Sequence, residues 1–92
     1  MRETGMIDRE IVKALIDFAI FLEFSDDEVI DPDAAVSATE QLASTLQRAG
    51  VDARGDFIAG VRDIAREYGE HEAFVHALPE FLGLAATDNA LG

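Results

Sequence analysis

The sequence predicts an all-α fold, a small helical bundle of three main helices plus a short C-terminal helix. Three observations carry this. Apolar residues recur at helical spacing nearly throughout. Helix start and stop residues punctuate the chain between those runs. No stretch alternates apolar and polar residues cleanly over five or more positions, and only two prolines are present, so no strand competes.

The first helix is expected to start near Asp8, a capping residue, and to run to about Glu23. Ile11, Leu15, Phe18 and Leu22 recur at spacings of four, three and four. Val12, Ala14, Ile16, Ala19, Ile20 and Phe21 widen that stripe almost all round. A helix apolar on so many sides is central in its bundle or covered by another chain. Asp17 interrupts it and marks its wet edge. Next, Ser25-Asp26-Asp27-Glu28 fits a capping box, with Ser25 as the cap, starting a single short turn. Asp31-Pro32 is a second start signal, Asp at the cap and Pro at the first helical position.

The second helix then runs from about Pro32 to Ala49. Val36, Leu42, Ala43 and Leu46 form its buried face, with Thr39 beside them, and Gly50 stops it. A third helix starts at about Asp52 or Asp56 and reaches Tyr68, with Phe57, Ile58, Val61, Ile64, Ala65 and Tyr68 on one side. Gly69 ends it. A short fourth helix covers about Glu70 to Leu78, Pro79 breaks it, and Glu80 to Leu84 form a last apolar turn. Residues 1–92 are read as one domain, with frayed ends at about 1–6 and 85–92.

Composition narrows the function. The chain has no cysteine, which excludes disulfides, thiolate metal ligands and a cysteine nucleophile and suits a cytoplasmic setting. The most apolar run, Ala14 to Leu22, contains Asp17 and falls far short of the ~20 residues that span a bilayer. Met1 to Met6 carry no apolar run, so no signal peptide is expected. Nineteen acids against seven bases give a net charge of −12. Such a surface repels nucleic acid and anionic lipid and attracts basic proteins and cations. It also keeps a small protein soluble.

Motifs with chemistry fail on spacing. A helix–loop–helix calcium loop needs acids at positions one, three and five and glycine at six. Starting at Asp27 puts Val29 at three and Pro32 at six, and starting at Asp26 puts Ile30 at five. His71-Glu72-Ala73-Phe74-Val75-His76 resembles the zinc motif H-E-x-x-H, but the second histidine comes one residue late. That extra residue turns the imidazoles apart by about 140°. Ser25, Ser37, Ser44 and four threonines are tied to no histidine and acid. Phosphate-loop and dinucleotide glycine patterns are absent. The chain is therefore expected to be no enzyme and to hold no cofactor or metal.

The acids that remain cluster. Residues 26–33 hold five of them, and Glu23 stands just before. Helix caps explain Glu28, Asp31 and in part Asp33, since a helix N-terminus favours acids by about 0.3–1 kcal/mol each. Caps do not explain Glu23, Asp26 and Asp27. A rigid acidic corner between two helices suits docking to a basic protein. Glu23, Asp26, Asp27, Glu28, Asp31 and Asp33 are the candidate partner-binding residues.

FLEFSDDEVIDPDAAVSATEQLASTLQ, with LPEFLGL near the end, resembles a group of small acidic helical bacterial proteins. These are immunity proteins that sit beside secreted toxins. In that group an S-D-D-x-V-I-D-P-D-A-A-V run joins the first two helices, and L-P-E-x-L-G-L closes the domain. The similarity covers most of residues 12 to 84, and its motifs are caps and turns. It implies that the chain binds one cognate toxin and blocks its active site or substrate groove, the toxin being basic and directed at nucleic acid. It implies no residue-level binding site.

An alternative comes from the first helix, which is very apolar for a lone bundle. Ile16, Ile20 and Phe24 are expected to lie outside the monomer core and to seal a homodimer. The chain would then be a helical adaptor whose acids only solubilise it. Salt separates the readings: an acidic docking contact weakens as salt rises, and an apolar dimer does not.

Overall fold

A computed structural model describes residues 8–85, and they fold as an all-α bundle. In chain order the elements are α1 (Arg9–Phe24), α2 (Pro32–Gln47), α3 (Val51–Ile64), a 3-10 segment (Ala65–His71) and α4 (Glu72–Phe81). The expected fraying of residues 1–6 and of the chain beyond Ala85 lies outside the described residues. No described helix is long and apolar enough to cross a membrane.

Asp8 caps α1 as expected, its carboxylate accepting from the Glu10 N–H at 2.7 Å. The core forms between α1, α3 and α4. Val12, Ile16 and Ala19 pack with Phe57, Val61, Ile64 and Ala65, and with Val75, Leu78 and Leu82. Ile16 has no exposed surface. Burying a side chain of this size contributes roughly 1.5–3 kcal/mol.

The buried face of α1 is rotated from the one its apolar spacing favours. Ile11 and Phe18 are 54% and 43% exposed, while Val12, Ile16, Ala19 and Leu22 are buried. The charged edge of the helix fits this rotation. Asp17 accepts a hydrogen bond from the Tyr68 hydroxyl at 3.0 Å, and Arg9 pairs with Glu67. That edge faces the 3-10 segment and stays exposed. Turning it there brings Val12, Ile16 and Ala19 inward and leaves Ile11 and Phe18 outside.

Helix α2 lies at the periphery. Ala35 is its one buried residue, and Leu42, Ala43 and Leu46 pack half-buried against the core. Val36, expected to be buried, is 57% exposed, because it stands about 100° round the helix from Ala35. The helix ends at Gln47 rather than Ala49, and Gly50 serves as the N-cap of α3. The Gln47 side-chain amide donates to the Leu82 carbonyl at 2.9 Å, which ties the end of α2 to the end of α4.

Beyond α3 the chain tightens into the 3-10 segment, and Gly69 breaks the helical path at φ 54°, ψ −120°. A side chain there would be strained, which is why glycine occupies it. Pro79 does not break α4, contrary to expectation. It removes the one backbone bond that an N–H there would make to the Val75 carbonyl, and its ring is buried in the core. The helix closes just after it in a Schellman turn. The Gly83 N–H donates to the Glu80 carbonyl at 3.0 Å, and the Leu84 N–H donates to the Pro79 carbonyl at 2.8 Å. Gly83 sits at φ 75°, with Leu84 buried behind it. On the outside, Arg62 of α3 pairs with Glu80 of α4 at 2.7 Å.

Two outcomes follow. Gly83→Ala forces a left-handed alanine at about 1–2 kcal/mol. Its Cβ would also meet the Gln47 amide nitrogen at 2.7 Å. Chemical denaturation of the variant should give a lower midpoint, and an unchanged midpoint would contradict the turn. The second concerns Tyr68, whose hydroxyl is pushed up from 10.0 to about 12, first by burial and then by its bond to Asp17. The unfolded chain therefore ionises first as pH rises. The stability due to neutral Tyr68 is complete below pH about 10 and is lost as pH climbs to about 12. The chain has one tyrosine and no tryptophan, so phenolate absorbance reads this group alone. The midpoint should fall towards 10.0 in denaturant; equal midpoints would sink the assignment.

Candidate partner-binding surface

The acidic segment forms a corner between α1 and α2. At the end of α1, Ser25 turns to extended backbone and its N–H reaches back to the Phe21 carbonyl at 3.2 Å. Asp26 then opens a single turn. Its carbonyl accepts from Val29 at 3.0 Å and Ile30 at 3.2 Å, and its carboxylate accepts from the Glu28 N–H at 3.2 Å. The expected single turn is thus present, but Asp26 caps it and Ser25 instead closes α1. Asp31 caps α2 as expected, its carboxylate accepting from the Ala34 N–H at 3.1 Å, with Pro32 next to it and Asp33 in the first turn.

Glu23, Asp26, Asp27, Glu28, Asp31 and Asp33 are all exposed. Among the described residues none of them has a cationic side chain within ion-pairing distance. The bases that do pair across elements, Arg9 and Arg62, pair with Glu67 and Glu80 instead. Asp26 and Asp31 are occupied as caps, and the other four carboxylates accept no hydrogen bond among the described residues.

Apolar groups border this corner. Phe24, at the end of α1, lies against His71 and Phe74, with ring centroids 4.5 Å and 5.1 Å away. Phe74 meets Phe81 at 5.7 Å. An aromatic row therefore runs from the end of α1 to the end of α4, exposed at Phe24 and Phe81. Beside it, a groove of about 170 Å³ opens between α1, α2 and α4. Leu22, Ala35, Val36 and Phe81 give its apolar lining, and Glu23 and Glu40 its acidic residues. Sequence reasoning missed Glu40 and Phe81, because three separate elements contribute to the groove. The exposed apolar residues Val36 and Phe81 are the trace it leaves in the fold.

The expected dimer face is corrected. Ile16 lies wholly inside the monomer, and Ile20 is half-buried and packs on its core. Of the three, only Phe24 is exposed. The outward apolar residues of α1 are Ile11, Ala14, Phe18, Phe21 and Phe24. His71 stacks on Phe24, and among the described residues no three acids or histidines converge as a metal site.

Comparison with known proteins finds no matching family model, no matching curated protein and no matching solved structure.

The two kinds of corner acid should separate in a stability assay. Asp31→Ala removes an N-cap and should cost about 1 kcal/mol, whereas Asp31→Asn keeps the acceptor and should cost much less. Asp27→Asn touches no cap and should leave thermal unfolding nearly unchanged. A large loss for Asp27→Asn would mean that this acid holds the corner together.

Proposed function

We propose that the chain is a non-enzymatic protein-binding module whose acidic corner docks a basic partner. The observation that carries this is the set of six exposed carboxylates, from Glu23 to Asp33, with no cationic partner among the described residues. Caps account for Asp26 and Asp31 only. Placing further unneutralised acids in one corner raises the local negative potential and disfavours the fold slightly by self-repulsion. A basic surface would relieve that repulsion, speed encounter and set the orientation of docking. The net charge of −12 points the same way and disfavours direct binding to nucleic acid or anionic membrane. In this reading the partner is a cognate basic toxin, and the chain is an immunity protein that neutralises it in the cytoplasm. The resemblance of residues 21–47 and 78–84 to immunity-type proteins supports that step.

A second reading has its own observation. Ile11, Phe18 and Phe21 expose apolar surface along one flank of α1. A homodimer sealed there would be an adaptor module, with the acids as a solubilising shell.

Affinity capture from the native cell lysate at low and high salt tests both. The docking reading expects a basic protein, toxic when expressed alone and harmless with this chain, that is retained at low salt and released at high salt. Asp26→Asn, Asp27→Asn and Asp33→Asn combined keep the caps and should lose that protein. Equal retention by the triple variant would contradict docking through the corner. A salt-insensitive dimer on a sizing column, with nothing retained, would favour the second reading.

A further inference from the structure

We propose that the groove between α1, α2 and α4 receives the aliphatic stem of one lysine or arginine of a basic partner. This rests on the docking reading above and assigns it a seat. The groove combines two features that a long cationic side chain needs together. Leu22, Ala35, Val36 and Phe81 offer apolar surface, and Glu23 and Glu40 offer charge. Lysine and arginine bury their methylene stems along apolar surface while the charged head stays in a polar setting. The Phe81 ring, 49% exposed, adds a face on which a cation can lie.

Competing occupants fit less well. At about 170 Å³ the groove is well below the roughly 300–1,000 Å³ of pockets that bury a small-molecule ligand. A second copy of this chain brings another −12 to the contact, so its approach sets acid against acid. The donor that the groove itself holds is occupied, since the Thr39 hydroxyl bonds the Ala35 carbonyl at 2.9 Å. Neither Glu23 nor Glu40 has an ion-pair partner among the described residues. Glu23 also belongs to the corner, so a cation seated in the groove lies where a partner bound to the corner already is.

The test uses the full chain and two synthetic probes of equal charge and different stem length. One is oligolysine. The other is the same-length oligomer of diaminobutyrate, whose stem is two methylenes shorter. Both are titrated at mildly acidic pH, where both are fully charged, and followed by amide and methyl NMR shifts. Oligolysine should bind on the order of ten-fold more tightly, from two methylenes buried at the groove. It should move Ala35, Val36 and Phe81. Glu40→Gln and Val36→Lys, both at exposed positions, should erase that stem-length preference. The combined Asp26→Asn, Asp27→Asn and Asp33→Asn variant should weaken both probes and keep it. Equal affinity for the two probes, with shifts confined to residues 26–33, overturns the groove and leaves the corner reading standing. No shift with either probe overturns both.

Discussion

The rotation of α1 about its own axis is the constraint on which the rest of this bundle depends. One edge of the helix is tied to the 3-10 segment by the Tyr68–Asp17 hydrogen bond and the Arg9–Glu67 pair. Both contacts are exposed, and an exposed pair contributes only about 0–1 kcal/mol. They accompany the rotation and do not drive it. The stabilisation comes from Val12, Ile16 and Ala19, which that rotation sends into the core beside Val61, Ile64, Val75 and Leu78. The same rotation puts Leu22 and Glu23 beside α2, where they help form the groove. It also puts Phe24 against His71 and Phe74.

A small chain with so many apolar residues cannot hide them all, and where it leaves them is informative. Apart from Val51 at the start of α3, the large exposed ones fall in two places, the outer flank of α1 and the border of the acidic corner. The second place combines apolar surface with unneutralised charge. A surface that meets a basic protein would use both, since charge guides the encounter and apolar contact retains the complex.

Most of the fold was legible in the residues, and the misses share one physical cause. Asp8, Asp31 with Pro32, and Gly69 act locally, through their own backbone and side-chain geometry, and each stands where the sequence put it. The face of α1 is different. Its apolar residues run almost all round, so the stripe of Ile11, Leu15, Phe18 and Leu22 is only one of several apolar faces, and the choice is made by packing against α3 and α4, far along the chain. Pro79 misled because a proline costs one backbone bond without having to end a helix, and here its ring is buried in the core. The acids of the corner were legible because exposed charge in a turn needs no tertiary partner. Glu40 and Phe81 were not, since their meeting with Leu22 exists only once α1, α2 and α4 have packed.

Single-cysteine labelling reads that rotation directly, since the chain has no native thiol. Val12→Cys and Ile11→Cys place the probe at adjacent positions on opposite sides of the predicted boundary, with exposures of 2% and 54% for the native residues. Under native conditions the thiol at position 11 should react with a soluble alkylating reagent at nearly the rate of the unfolded chain, and the thiol at position 12 should be strongly protected. Protection of position 11 with free reaction at position 12 would mean that α1 packs by its simple apolar stripe, and the core and the groove described above would both be wrong.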